Sequence, residues 1–237
     1  MKKKILVCGA SRNLGKFLAE KYSEQLDSVI KISRSFKNNP KQNNYKCDLS
    51  SYFSTLKTLK IIKKKFQTID TIIFAAGDSK PNLNSKNSFN KLEKSLRNNF
   101  LSLVSLIENY LKIYKGNKTN IIVISSIASI KIIDAPIEYS VSKSALNFYC
   151  KIKAKELIKY GIKLNIISPG NILMVNNNWH KKLELNKKKV MNYIFKNVPS
   201  KKFITPDIIF ETCKLLSSDD NDSFIGTNFV LDGGQSL

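Results

Sequence analysis

Short runs of apolar residues alternate with segments of helical periodicity from one end of the chain to the other. The apolar runs are continuous and do not alternate with polar residues, which is typical of strands covered by helices on both faces of a parallel sheet. The pattern predicts strands over 4–8, 28–32, 45–47, 68–75, 120–125, 162–167 and 228–231. It predicts helices over 14–25, 52–66, 86–114 and 139–159. This repeating strand–helix order indicates an α/β fold.

The predicted elements fit a doubly wound, Rossmann-like parallel sheet of seven strands with helices on both faces. A chain of 237 residues is long enough to bury one such core, and no break in composition or internal repeat divides it. We therefore expect a single domain over 1–237. The segment 174–202 interrupts the pattern because it is polar and rich in lysine. We interpret it as an inserted substrate lid, not as a second domain.

The formal net charge of +22 raises the possibility of a nucleic-acid-binding protein. The positive charge is almost all lysine, spread along the chain, and Arg12, Arg34 and Arg97 are the three arginines. Lysine, asparagine and isoleucine are all abundant, as AT-rich codons would produce, so we interpret most of the charge as genomic bias. We expect no nucleic-acid partner. The remaining functional interpretation is attraction of anions, such as a phosphorylated cofactor, an acidic substrate or a carrier.

Four cysteines, Cys8, Cys47, Cys150 and Cys213, are far apart in the sequence. This spacing argues against a disulfide framework or a zinc site and fits a reducing compartment. The apolar run near the start is too short for a signal peptide, and no run is long enough to span a membrane, so we expect a cytoplasmic location. His180 is the one histidine and has no cluster of acidic residues or cysteines around it. We interpret it as a surface residue of the lid and expect no metal.

The first predicted strand runs directly into segment 9–15, which reads G-A-S-R-N-L-G, and then into a helix. Such a turn lets the backbone approach a pyrophosphate at the positive N-terminus of the helix. It resembles the G-x-x-x-G-x-G turn of the short-chain dehydrogenase/reductase family, with asparagine in place of the middle glycine. Asparagine tolerates positive φ better than other non-glycine residues, so this change is mild. The predicted cofactor contacts here are Gly9, Ser11, Arg12, Asn13, Leu14 and Gly15.

The end of the second strand indicates which dinucleotide is bound. An acidic residue about 20 positions beyond the glycines would hold the ribose 2′-hydroxyl of NAD. This chain has Ile-Ser-Arg-Ser over 32–35, without a carboxylate. Arg34 offers a 2′-phosphate a bidentate charged partner, and Arg12 can approach the same phosphate. We therefore predict NADP(H) as the cofactor; the alternative is that both arginines are solvated surface charges.

Further segments resemble cofactor-binding segments of the same family. An Asp-Leu pair follows the third strand, where the family carboxylate meets the adenine. Phe74 and Ala75 replace both asparagines of the family's N-N-A-G signature, and Met174 replaces the threonine beyond its P-G turn. The last replacement leaves anchoring of the nicotinamide carboxamide open. The resemblance implies cofactor contacts from Asp48, Leu49, Ala75, Ala76, Gly77, Tyr139, Lys143, Pro169, Gly170 and Ile172.

A Y-x-x-x-K pair marks the family, but nine tyrosines and many lysines make chance matches common. The three matches begin at Tyr114, Tyr139 and Tyr149. Only Tyr139 has a serine, Ser126, at the family spacing of 13 residues upstream. Only Tyr139 begins a predicted helix after a strand and a loop, and segment 139–145 resembles the family's Y-x-A-S-K-x-A. We therefore select Tyr139 and Lys143.

The chemistry explains why these residue types occur together. Hydride transfer to a carbonyl leaves an oxyanion that must be protonated, and Tyr139 is the predicted acid. Lys143 lies one helical turn along, where its ammonium stabilises the phenolate, and Ser126 can polarise the substrate oxygen. Segment 92–100 resembles the family segment ending in an asparagine that supports a water-mediated proton relay. Its register favours Asn99 over Asn98; the alternative is an amide that only satisfies backbone groups.

These observations predict reversible hydride transfer between NADP(H) and a small carbonyl or alcohol substrate. The resemblance covers essentially the whole chain and is weakest over 174–202. A 3-oxoacyl-carrier reductase and a reductase of surface-sugar biosynthesis both remain open, since the positive charge suits an acidic carrier as well as an anionic sugar derivative. The alternative of another class is a catalytically vestigial protein that senses NADP or scaffolds partners. The family resemblance also implies a homodimer or homotetramer.

Overall fold

The computed structural model describes residues 2–79, 87–218 and 222–237. The strands of this part form one parallel sheet in the order β3-β2-β1-β4-β5-β6-β7, which confirms the predicted fold class. The strands are β1 (Lys4–Cys8), β2 (Ser28–Ser33), β3 (Asn44–Lys46), β4 (Thr71–Phe74), β5 (Thr119–Ile124), β6 (Ile162–Pro169) and β7 (Asn228–Leu231). The helices are α1 (Asn13–Glu24), α2 (Tyr52–Lys65), α3 (Ser88–Leu96), α4 (Ser102–Ile113), α5 (Ile137–Leu157), α6 (Asn178–Asn197) and α7 (Pro206–Leu216).

The strand order changes direction between β1 and β4. From β1 the chain adds β2 and β3 on one side of the sheet, and it then returns to add β4 to β7 on the other side. The turns after β1 and β4 therefore leave the sheet on opposite sides and open a crevice at the carboxyl ends of these strands. In sheets of this type that crevice is the ligand-binding position.

Both faces of the sheet are buried by helices. In β1, Leu6 packs in a cluster with residues of α2, α4 and α5, whereas its neighbour Val7 packs in a second cluster with Leu18 of α1 and Phe210 of α7. Successive side chains of a strand point to opposite faces, so a strand with two covered faces needs apolar residues at every position. This is the reason for the continuous apolar runs. Each fully buried side chain of this size contributes about 1.5–3 kcal/mol relative to an exposed one.

The long helix predicted over 86–114 is two helices, α3 and α4, joined by a π-helical turn at Arg97–Leu101. Its predicted first residue, Lys86, lies outside the described residues. Asn99 is at the centre of this turn and is fully buried. Its side chain bonds to the backbone of Asp78 in the loop after β4, and not only to its own helix. A wider turn accommodates a side chain directed inward at this point.

The segment 174–202 contains α6, to which the sequence pattern assigned no element. α6 is kinked at Asn186, whose φ and ψ are −157° and 84°, and whose Oδ1 caps the second half by accepting from the Lys189 amide at 2.9 Å. Trp179 packs against Tyr193 and Phe203, with ring centroids 5.4 and 5.6 Å apart. Through these contacts, the two halves of α6 and the segment after it pack around one aromatic cluster. Its role as a substrate lid stays a prediction.

α7 also lacks a counterpart in the sequence prediction, although Pro206 occupies its first turn, where proline is favoured. Within the described ranges, no helix is long and apolar enough to cross a membrane.

Candidate active site

The turn after β1 fits closely against its neighbours because it contains glycines. A Cβ on Gly9, whose φ is +86°, would lie 2.8 Å from Cα of Ala76 in the turn after β4. A Cβ on Gly15 would lie 2.3 Å from the carbonyl oxygen of Gly9, so α1 approaches the turn more closely than any side chain allows. Asn13 adopts the left-handed conformation with φ +47°, at the position of the missing glycine. The turn is therefore shaped for close approach of a ligand to its backbone.

A groove of about 170 Å³ runs along the carboxyl ends of the strands on both sides of the switch point. Sequence-predicted residues that line it are Gly9, Ser11, Arg12, Asn13, Leu14, Gly15, Arg34, Asp48, Leu49, Ala75, Ala76 and Gly77. The structure adds Ser33, Cys47, Ser50, Asn98 and Ser102. Asn98 and Ser102 lie four residues apart, on the same side of the helical segment that follows the groove. That spacing is the signal by which the sequence could have indicated them.

Positive charge predominates in the groove. Arg12 and Arg34 both line it, and Asp48 is the one carboxylate among its described lining residues. Asp48 Oδ1 accepts hydrogen bonds from the Ser50 amide at 3.1 Å and the Ser50 hydroxyl at 2.7 Å. The groove therefore suits an anionic ligand with two arginines at its β2 end.

Three residues predicted to lie near a nicotinamide are at or just beyond the end of β6: Pro169, Gly170 and Ile172. They are not among the described residues that line the groove. The Gly170 amide donates to the Leu231 carbonyl at 2.9 Å, and Ile172 forms a bridge with Ile204 beyond α6. The structure thus places them where the polypeptide enters segment 174–202, and their role toward a cofactor stays a prediction.

The predicted catalytic residues come together from β5 and α5. Ser126 follows the end of β5, and its Oγ accepts from the Ala128 amide at 3.2 Å in the short helical turn Ile127–Ser129. Tyr139 lies in the first turn of α5, where Ser126 influences the ionisation of its hydroxyl. Lys143 is almost fully buried one turn later, with Nζ 5.9 Å from the centre of the Tyr139 ring and 2.9 Å from the Ile124 carbonyl oxygen, to which it donates.

Burial controls the protonation of both residues. Desolvation raises the pKa of Tyr139 above its ordinary value, and the hydrogen bond with Ser126 offsets part of this rise. Desolvation lowers the pKa of Lys143 to about 8. The protein by itself therefore holds Tyr139 as a protonated phenol, the form that can donate a proton to a reduced carbonyl. Stabilisation of the phenolate by Lys143 stays a prediction.

Asn99 lies beside these groups, and its carboxamide bonds to Asp78 and Ser95. Oδ1 accepts from the Asp78 amide at 2.9 Å, and Nδ2 donates to the carbonyl oxygens of Asp78 and Ser95, each at 3.1 Å. A Cβ on Gly77 would lie 2.7 Å from Asn99 Oδ1 and 3.6 Å from Lys143 Nζ, so the two side chains are close. The side chain therefore satisfies backbone groups, as in the alternative interpretation; a part in proton relay stays a prediction.

The other two Y-x-x-x-K pairs have structural contacts. Tyr114 is buried, and its hydroxyl donates to the Phe66 carbonyl at 3.1 Å. Tyr149 packs edge-on against Phe100, and Lys153 forms an ion pair with Glu108 at 2.9 Å. None of the three pairs supplies a residue that lines the groove, but Lys143 Nζ would lie 3.6 Å from a Cβ on Gly77, which does line it. The cofactor contacts predicted for Tyr139 and Lys143 stay predictions.

The cysteines and the histidine form no metal-binding or redox site in the described part of the chain. No group of three or more histidine, cysteine, aspartate or glutamate side chains is placed there to hold a metal ion. The four cysteines are buried free thiols. His180 Nδ1 lies 3.5 Å from Oε1 of Glu184, one turn along α6.

Comparison with known proteins places the chain in a family. A family model described as enoyl-(acyl carrier protein) reductase matches residues 16–236. The 3-oxoacyl-[acyl-carrier-protein] reductase FabG of Buchnera aphidicola subsp. Schizaphis graminum is 29% identical, and the match covers 100% of this chain and 98% of that protein. The NAD-dependent glycerol dehydrogenase of Listeria innocua is 27% identical, with 98% and 93% covered.

Solved structures show the same fold. L-sorbose reductase from Gluconobacter frateurii, complexed with NADPH and L-sorbose, superimposes with a TM-score of 0.87 at 20% sequence identity, over 99% of this chain and 97% of that one. The family model accounts for nearly the whole chain, and the superposition shows the same fold. The chain belongs to the short-chain dehydrogenase/reductase family.

Proposed function

We propose that this protein is an NADP(H)-dependent oxidoreductase that interconverts a carbonyl and an alcohol by hydride transfer. One observation carries the proposal. Of the three Y-x-x-x-K pairs, only Tyr139 and Lys143 combine a buried lysine with a position beside the groove, since a Cβ on Gly77 would lie 3.6 Å from Lys143 Nζ. A tyrosine and a lysine beside a crevice at the carboxyl ends of the strands are the groups that proton-coupled hydride transfer requires.

The groove fits a phosphorylated dinucleotide. The close approach at Gly9 and Gly15 leaves backbone amides free of side-chain cover at the start of α1, where a pyrophosphate is stabilised. Arg12 and Arg34 would hold the 2′-phosphate of NADP(H), and Asp48 would meet the adenine. When bound, this cofactor supplies or accepts the hydride.

The chain's own residues provide the proton chemistry. Tyr139 donates its phenolic proton to the developing oxyanion during carbonyl reduction, and its raised pKa keeps it protonated at neutral pH. Ser126 donates a hydrogen bond to the same substrate oxygen and polarises the carbonyl. Lys143 places a positive charge beside the tyrosine when it is protonated, and Asn99 fixes the loop after β4 close to Lys143.

The assignment of Tyr139 is tested by Tyr139→Phe with Tyr149→Phe as its matched control. The Tyr149 hydroxyl is buried without a partner in the described structure, so its removal should leave activity unchanged. Tyr139→Phe should lower kcat on the order of 10²–10⁴-fold, the contribution typical of a positioned acid, and leave NADPH binding by fluorescence titration unchanged. Turnover by Tyr139→Phe within tenfold of the parent protein would refute the assignment.

The cofactor is tested by Arg34→Ala with Arg97→Ala as the matched control. Arg97 is half-exposed and pairs with Glu93 at 3.3 Å, away from the predicted phosphate position. Loss of a charge-assisted hydrogen bond costs about 1.5–3 kcal/mol, so Arg34→Ala should weaken NADPH binding by about 10–100-fold and hardly affect NADH. Equal weakening of both cofactors, or no weakening, would contradict the choice of NADP(H).

A substrate panel separates the remaining alternatives. The relatives' names motivate a 3-oxoacyl thioester, a polyol and a ketose, and the panel should add sugar derivatives that carry a charge. We expect reduction of at least one carbonyl with consumption of NADPH. Tight NADPH binding without turnover of any member would instead support a non-catalytic sensor or scaffold.

A further inference from the structure

The loop that carries Ser126 is held by one of its own residues, Ser129. The Ser126 carbonyl oxygen accepts two hydrogen bonds from Ser129, one from its amide at 3.0 Å and one from its hydroxyl at 2.5 Å. Lys131 fixes the far end of the same loop by donating to the Gln235 carbonyl at 2.8 Å. Segment 126–131 is therefore tied at both ends; we call it the serine loop.

Helix α5 contacts Ser129 directly. Asn147 Nδ2 donates to the Ser129 hydroxyl at 2.6 Å, and the Ser144 hydroxyl donates to the Ser129 carbonyl at 3.0 Å. Asn147 lies four residues after Lys143, so both project from the same face of the helix. The face that presents Lys143 to the tyrosine thus also holds the serine loop.

Asn147 is a polar residue at a buried position where an apolar side chain would pack at lower cost. Asn147 is 5% exposed, and its Oδ1 is buried without a partner in the described part of the chain. An unpartnered buried polar atom costs about 1–3 kcal/mol, which an apolar side chain of similar size would avoid. Within the described residues, the side chain of Asn147 makes one hydrogen bond, to the Ser129 hydroxyl, which links Asn147 to the serine loop.

We propose that Ser129 and Asn147 form a clamp that holds the serine loop against α5 and so keeps Ser126 beside Tyr139. They are positioning residues, because they act through the backbone of Ser126 and touch neither substrate nor cofactor. The inference rests on the proposed function for its significance, but the clamp itself is a property of the protein alone. Without it, the loop keeps only its internal turn and the bonds made by Lys131 and Ser144, and Ser126 can move away from the tyrosine.

Three serine variants test the clamp. Ser129→Ala removes the hydroxyl that joins Asn147 to the Ser126 carbonyl, whereas Ser129→Thr keeps a hydroxyl. Ser23→Ala is the matched control, because it removes another hydroxyl that donates to a backbone carbonyl, that of Ala19 at 2.8 Å on α1. Asn147→Leu breaks the clamp from the other side and replaces a poorly satisfied amide by an apolar group, so it provides a second route if Ser129→Ala fails to fold.

Two measurements on the protein without substrate report whether the clamp is intact. Hydrogen–deuterium exchange of segment 126–131 should accelerate at least tenfold in Ser129→Ala and Asn147→Leu. The second measurement is a ¹³C NMR titration of protein with ring-labelled tyrosines, in which the Tyr139 signal is the one missing from Tyr139→Phe. In Ser129→Ala and Asn147→Leu, Tyr139 should ionise at a higher pH than in the parent protein, because its interaction with Ser126 favours the phenolate. Lys143 is the charged group that faces the ring, and every variant retains it.

Ser129→Thr and Ser23→Ala should match the parent protein in both measurements. Unchanged loop exchange and unchanged ionisation in Ser129→Ala or Asn147→Leu would overturn the clamp. A destabilised fold with uniformly faster exchange, without a local effect in the serine loop, would also overturn it. Because neither measurement requires turnover, failure of the protein to reduce any carbonyl would count against the proposed function alone.

Discussion

Replacement of Lys143 by methionine, which has a similar length and no charge, should make the fold more stable at neutral pH while it removes the proposed catalytic lysine. The structure gives the magnitude. Burial lowers the pKa of Lys143 from 10.5 to about 8. At 1.36 kcal/mol for each pH unit, the protonated lysine costs about 3 kcal/mol of stability at pH 7. The variant leaves the Ile124 carbonyl without its donor, which costs about 1–3 kcal/mol, so the net gain is at most about 2 kcal/mol.

The pH dependence is a sharper test than the net gain. Below pH 8 the lysine is protonated in both the folded and the unfolded protein, and its full cost is present. Between pH 8 and 10.5 the unfolded chain binds more protons than the folded protein, so the free energy of unfolding rises with pH. Relative to Lys143→Met, the parent protein should therefore gain about 1.4 kcal/mol between pH 7 and pH 9.

Urea denaturation followed by circular dichroism at pH 7, 8 and 9 measures this difference. Lys151→Met is the control, since Lys151 is exposed on the same helix. The unfolding free energy of the parent relative to Lys143→Met should rise by about 1.4 kcal/mol between pH 7 and pH 9, whereas that relative to Lys151→Met should stay constant. A difference for Lys143→Met that is the same at pH 7 and pH 9 would refute the argument that burial controls this lysine.

Two further predictions concern the backbone. Gly15→Ala places a Cβ 2.3 Å from the Gly9 carbonyl oxygen and should displace the glycine turn, with at least about tenfold weaker NADPH binding in a fluorescence titration; binding equal to that of the parent protein would contradict a tight turn–helix contact. Leu26 has φ +63° and is 78% exposed, so Leu26→Asn should relieve about 1 kcal/mol of strain and raise Tm by about 2–4 °C. An unchanged or lower Tm would show that this conformation costs leucine little.

Sequence pattern predicted the central architecture well because its signals are local. The pattern located all seven strands, most clearly where a strand buried on both faces is apolar at nearly every position, as in β1 and β4; the edge strand β3 has one buried residue, Tyr45. Their ends were less certain: the strand predicted over 68–75 is Thr71–Phe74, and β6 extends to Pro169 because that residue pairs with Leu231 of β7. The end of a strand depends on its pairing with a strand that is distant in sequence, and the local sequence pattern does not indicate that pairing.

The choice among the three Y-x-x-x-K pairs shows how far local sequence can reach. Spacing to Ser126 selected Tyr139, and Ser126 influences the ionisation of Tyr139 in the folded protein. The same reasoning assigned Asn99 to a proton relay, which stays a prediction; the structure adds that its side chain bonds to the backbone of Asp78 in the loop after β4. Residue type and register do not reveal these bonds, because they depend on which backbone groups approach the amide after folding.

The sequence by itself determined the sheet, the glycine turn and the residue types at the ends of the strands, since apolar period, turn chemistry and motif spacing are all properties of neighbouring residues. Tertiary structure alone decided the kinked helix α6, the contact of Asn147 with Ser129 and the lowered pKa of Lys143. These features arise when segments far apart in the chain exclude water from one another and satisfy each other's polar groups. The free energy gained when contacts with water are replaced by contacts within the protein depends on distances and burial, which only the folded structure provides.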